Sequence, residues 1–135
     1  MAANASAPSA RGVANLASAH SFDATVAKLL GALREHGIKV FATIDQQAEA
    51  RAVGLAMPPT TLILFGNPRG GTPVMLAHPE AGIDLPLKVL VTESPTGRVS
   101  VIFNTATYII ERHGLAPELA NNIAPAEKLL AGAIA

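Results

Sequence analysis

Apolar and polar positions follow two periods along the chain, and the densest apolar stretch lies in the middle third, residues 60–104. Residues 61–65, TLILF, run without a charge, so both faces of this strand are expected to be buried, as in a central strand. Residues 87–92 form the next strand, and Val99, Val101 and Phe103 alternate along a returning one. Between them Ser94-Pro95-Thr96-Gly97 has proline and glycine where a tight hairpin turn needs them. Upstream the period changes. Phe22, Val26, Leu29, Leu30 and Leu33 make a single apolar stripe at helical spacing, with Ser21 at the N-cap, Asp23 in the first turn, Arg34 and His36 in the last and Gly37 at C′.

The remaining segments are shorter. Residues 12–19 are small and apolar, a first strand. Residues 38–44 alternate, with Ile38, Val40, Ala42 and Ile44 on one face and Lys39, Phe41 and Thr43 on the other. Asp45 can cap the short helix QQAEARAV, which Gly54 ends, and Met57-Pro58-Pro59 forces an extended connection. Gly66-Asn67-Pro68-Arg69-Gly70-Gly71 reads as a turn, with Thr72 as cap and Pro73 as first residue of a short helix that Pro79 stops. Thr105 caps a helix through Tyr108, Ile109 and Ile110 that stops at Gly114, and Pro117 and Pro125 open two further segments. This order predicts an α+β fold: an antiparallel sheet of four to five strands with helices packed on one face, of β-α-β-β-β-β-α type. It is expected as one domain over residues 12–135 behind a flexible N-terminal arm, residues 1–11.

Composition narrows the partners. Ten basic and ten acidic residues cancel, and aromatic content is 4% with no Trp, so the footprint for nucleic acid is missing in both charge and stacking. No run approaches the length of a membrane span. The absence of cysteine excludes disulfides, a thiolate nucleophile and thiolate metal sites. The N-terminus lacks the apolar core of a signal peptide, so the chain as written is expected in the cytoplasm, unless an export signal has been removed. A neutral surface resists self-association weakly, and a sheet with helices on one side leaves a second face, bearing Phe41, Leu90 and Ile102, that a partner subunit would cover. A homodimer is therefore expected.

Candidate chemistry is sparse. Gly66 and Gly71 have part of the spacing of a phosphate-binding loop, but Thr72 and Pro73 stand where lysine and a hydroxyl residue belong. A weaker anion site could combine Arg69 with N–H groups of the Thr72 helix; the bland alternative is a glycine turn with an exposed arginine. In an antiparallel meander the end of the 61–65 strand, the start of the 87–92 strand and the end of the 99–103 strand share one edge. Asn67, Asp84, Lys88 and Asn104 are then neighbours, a polar set for a small ligand or, alternatively, loop caps and a surface ion pair. His20, His36, His78 and His113 have no local metal-ligand spacing, which leaves as the alternative a site assembled across the fold from His78 or His113 with Asp84. The leading expectation is a binding module for a small ligand or a protein. The alternative is an enzyme acting on a small acid or carbonyl compound, with Asp84 as base and Lys88 or Arg69 holding an anion. No residue pattern identifies a cofactor.

Three blocks carry a family likeness: FATIDQQAEARAVG, LILFGNPRGGTPVM and IDLPLKVLV, followed by the Pro-Thr-Gly hairpin. They closely resemble the domain of unknown function 302, over about residues 12–114. The resemblance implies a compact α+β domain of bacteria and archaea that tends to pair into homodimers. It implies no assigned activity, substrate or cofactor.

Overall fold

The structure, a computed structural model, describes residues 11–135, so the expected arm lies outside the described residues except for Arg11. Its strands are β1 (Val13–Ser18), β2 (Lys39–Asp45), β3 (Thr60–Gly66), β4 (Leu87–Glu93) and β5 (Val99–Asn104). They form one antiparallel sheet in the order β1-β5-β4-β3-β2. The helices are α1 (Phe22–Glu35), α2 (Gln46–Ala52), α3 (Pro68–Ala77), α4 (Ala106–Arg112) and α5 (Pro125–Ala133), with 3₁₀ segments at Pro79–Asp84 and Pro117–Asn122. The α+β architecture expected from the alternating periods is therefore observed.

Local signals place most boundaries. Ser21 accepts a hydrogen bond from the Ala24 N–H at 3.1 Å, Asp45 from the Ala48 N–H at 2.9 Å and Thr105 from the Tyr108 N–H at 3.2 Å, so each caps its helix as expected. In the hairpin, Gly97 has φ +87°, which a side chain would strain, and its N–H bonds to the Ser94 carbonyl at 2.8 Å.

Two expectations are corrected. The helix after β3 starts at Pro68, with Asn67 rather than Thr72 as its cap. Two cap-proline pairs compete here, Asn67-Pro68 and Thr72-Pro73. The earlier one takes both glycines into the helix and leaves Pro73 inside it, at the cost of the one hydrogen bond that proline cannot donate. The second correction concerns β2. Val40 pairs with Phe65, but Ala42 pairs with Leu64, so the register shifts and Phe41 is the extra residue of a bulge. Directly paired residues share a face, so Ala42 and Ile44 lie with Leu64 and Leu62, on the side opposite Val40 and Phe65.

The two sheet faces differ. On one, Ile63, Phe65, Val89, Val91, Val101 and Phe103 meet Leu29 and Leu33 of α1 and Leu130 of α5 in the main core. A satellite cluster at the end of the sheet joins Val74 of α3, Ala81, Ala106, Ile109 and Ile110 of α4, and Ile123. On the other face runs a ladder of Ile44, Leu62, Leu90 and Ile102, each paired directly with the next. These four residues are half-buried and belong to neither cluster. The expectation that both faces of 61–65 are buried thus holds only for Thr61, Ile63 and Phe65, because a sheet with helices on one side leaves the alternate positions outside.

Candidate functional site

The two clusters do not close on each other completely. Where β3 leaves the sheet and β4 enters it, a cleft of about 450 Å³ opens between the sheet end, α3 and the segment joining the last 3₁₀ turn to α5. Its wall is mainly carbon: Phe41, Phe65, Met75, Leu85, Pro86 and Ile123. The bulge in β2 accounts for one side. By adding a residue it brings Phe41 to the cleft beside Gly66, where a Cβ would lie 3.7 Å from the Phe41 ring and 3.8 Å from Pro86. Phe41 is 46% exposed, and the Lys39 ammonium lies 5.1 Å from the centre of its ring.

Among the described residues the polar side chains of the lining are Asn67, Thr72 and Asn122. Asn67 caps α3, its Oδ1 accepting from the Arg69 N–H at 2.9 Å. Asn122 reaches α3 from the other side, donating from Nδ2 to the Gly70 carbonyl at 3.3 Å. The approach is close because residue 70 lacks a side chain: a Cβ there would stand 2.3 Å from the Asn122 carbonyl oxygen. Gly70 and Gly71 both donate their N–H groups to the Asn67 carbonyl at 2.9 Å. Together with the proline at N1, this leaves the start of α3 without the free donors that an anion site beside Arg69 would require.

The residues expected to form one polar set are distributed over three places. Asn67 lines the cleft, and Arg69 is exposed on the first turn of α3. By alternation the side chains of Lys88, which pairs with Leu64, and of Asn104, two residues after Ile102, lie on the sheet face opposite Phe65, and both residues border a small pocket with Ala126, Glu127 and Leu130 of α5. Lys88 donates from Nζ to the Pro86 carbonyl at 3.2 Å. Asp84 turns to the end of α4, where Arg112 Nη1 donates to both its oxygens at 3.0 and 3.1 Å and His113 Nε2 lies 2.6 Å from Oδ2. The His78 ring packs 5.9 Å from that of His113. Among the described residues no group of three or more His, Cys, Asp or Glu is positioned to hold a metal ion.

A shared sheet edge does not imply a shared face, and the alternation that separates Lys88 and Asn104 from Asn67 was readable from the strands. Asn122, Ile123 and Arg112 were not, because they come from segments whose local pattern says nothing about where they dock.

Among the described residues no helix is long and apolar enough to cross a membrane. The chain is 36% identical over 104 residues to proteins named fluoride-specific ion channel FluC 1 in Brucella suis and Brucella abortus, and equally to FluC 2 of Brucella melitensis. The match covers 77% of this chain but 41%, 38% and 38% of theirs, so the chain spans about two fifths of these relatives. A crystal structure of an uncharacterized conserved protein DUF302 from Bacillus stearothermophilus superposes with a TM-score of 0.77 at 21% identity, over 93% of this chain and 97% of that one, which shows a common fold. The sequence model described as "Domain of unknown function DUF302" matches residues 14–135, and the chain belongs to that family.

Proposed function

We propose that this chain is a homodimeric binding domain that holds a small, largely apolar molecule in the cleft between β3, α3 and the start of α5. The supporting observation is the cleft itself. Its volume falls within the range of about 300–1,000 Å³ of small-molecule sites, and its carbon walls with a few convergent polar groups are the usual lining of such sites. Asp84, by contrast, has both oxygens engaged with Arg112 and His113, which favours a tie between the Pro79–Asp84 segment and α4 over a free general base. In the Brucella relatives we read the matched part as an attached domain rather than the conducting part.

Gly71 provides the test. It lines the cleft within α3, and a Cβ there meets only Leu85 Cδ1, at an ordinary 3.8 Å. Gly71→Leu should fill the cleft, and by removing a helix-interior glycine it should hold or raise stability by up to about 1 kcal/mol. A thermal-shift screen of metabolites is expected to yield compounds that raise the Tm of the wild type and leave Gly71→Leu unmoved. Equal shifts in both proteins would place binding elsewhere.

The dimer reading is supported by the Ile44, Leu62, Leu90 and Ile102 ladder, an apolar row across four strands outside both clusters. Two such faces packed together would form a second layer of core. Light scattering should report a dimer for the wild type and a folded monomer for Leu90→Glu, since a carboxylate in that layer would be desolvated without a partner. A monomeric wild type at high micromolar concentration would refute the pairing.

A further inference from the structure

We propose that the cleft receives the loop of residues 53–57 from a second copy of this chain, so that copies associate head to tail. The inference goes beyond the small-molecule reading, since it names a different occupant of the same space. It follows from where the apolar surface lies. Six large apolar residues stand exposed among the described residues, and they fall in two places. Phe41 is in the cleft wall, Leu76 follows Met75 of that wall, and Ile83 stands two residues before Leu85 of it. The other three, Val53, Leu55 and Met57, are alternate residues of the loop that joins α2 to β3. Exposed apolar groups gathered into patches mark contact surfaces, whereas single scattered ones need no explanation.

The loop is held in shape. The Leu55 N–H donates to the Ala50 carbonyl at 2.9 Å, Gln47 Nε2 to the Met57 carbonyl at 3.1 Å and the Glu93 N–H to the Pro59 carbonyl at 3.1 Å, while Pro58 and Pro59 fix their own φ. Val53 and Leu55 are nevertheless 72% and 66% exposed, so hydrocarbon is presented on a backbone that loses little freedom when it docks. The chain's own cleft is out of reach: the loop precedes β3 and the cleft follows it, a separation of seven strand residues, roughly 20 Å. Only another copy can bring the two together. Charge agrees in sign. Of the charged residues next in sequence to the cleft lining, Lys39, Arg69 and Lys88 are cations, and the two acids are engaged elsewhere, Asp84 with Arg112 and His113, Glu127 with the Ala106 N–H. Beside the loop α2 and its cap carry Asp45, Glu49 and Arg51, and Glu93 joins them at Pro59, so three acids stand against Arg51 and, at the hairpin beyond, Arg98. Each copy carries one loop and one cleft, so the contact repeats from copy to copy, and three side chains make it a weak one.

Two variants separate the halves of the contact. Leu55→Asp keeps the cleft and spoils the loop, and Gly71→Leu keeps the loop and fills the cleft. Leu55 is mostly exposed, so its replacement leaves the fold as it is, and Leu55→Ser repeats the test without a charge. Unlabelled Gly71→Leu, added to ¹⁵N-labelled Leu55→Asp up to millimolar concentration, should move the amide signals of Met75 and Ile123. With the label on Gly71→Leu, those of Leu55 and Met57 should move. Each variant added to its own labelled form should move neither set, its affinity lower by at least about tenfold. Dilution of the wild type should move Met75 and Leu55 together. A mixed pair that leaves Met75 and Ile123 in place, or Leu55→Asp moving them in its own labelled form, would overturn the inference. Movement of Leu55 in Gly71→Leu mixed only with itself would mean that the loops meet each other, and would overturn it too. Small-molecule binding is read separately, from the wild-type Tm with metabolites, and stands or falls independently of these outcomes.

Discussion

Gly70→Ala is expected to destabilise the protein by about 2–4 kcal/mol, although alanine is by itself the better helix former. Removing a glycine from a helix interior gains about 1 kcal/mol. Against this, the new Cβ would stand 2.3 Å from the Asn122 carbonyl oxygen, which is backbone and cannot rotate away. To relieve the clash α3 must separate from the Pro117–Asn122 segment, which also breaks the bond from Asn122 Nδ2 to the Gly70 carbonyl and opens one wall of the cleft. The clash outweighs the propensity. Chemical denaturation of Gly70→Ala beside Gly71→Leu makes a sharp comparison, because two adjacent glycines of one helix should respond with opposite signs. A Gly70→Ala protein as stable as the wild type would show that α3 and the last 3₁₀ turn are not held at this distance.

Phe65→Ala should cost about 3–5 kcal/mol, the range for removing a buried aromatic ring. The Phe65 side chain is 1% exposed, in the main core on one side and against the cleft on the other. Its removal takes contacts from both and joins the new cavity to the cleft. Water entering from the cleft can fill part of that cavity, which places the expected cost toward the lower end of the range. For a domain of this length the loss corresponds to a Tm lower by on the order of 10 °C, measurable by circular dichroism. A change below 1 kcal/mol would mean that Phe65 does not bridge core and cleft.

The fold was legible where local chemistry and period agreed. The stripe from Phe22 to Leu33 with Ser21 before it, and the Ser94-to-Gly97 turn between alternating strands, each name one structure without tertiary help. The start of α3 was ambiguous because Asn67-Pro68 and Thr72-Pro73 carry the same signal, and only docking against Asn122 distinguishes them. The bulge at Phe41 was hidden for a related reason. Seven residues of clean alternation look regular, and the extra residue shows only in the partner strand's register. Of the expected site, Asn67 lies on the cleft with Thr72 nearby in sequence, while the third polar lining residue, Asn122, comes from the last quarter of the chain. Segments opened by Pro117 and Pro125 carry weak patterns, and what they close against is decided by long-range packing. Asp84 shows the same limit: nothing local ties it to its partner Arg112, 28 positions away.

The central claim is that the space beside Gly71 is a binding site. Native mass spectrometry tests it most directly, using wild type and Gly71→Leu mixed with the compound that most raises the wild-type Tm. The account predicts bound compound on the wild type and none on the leucine variant. Equal occupancy of both chains would contradict it.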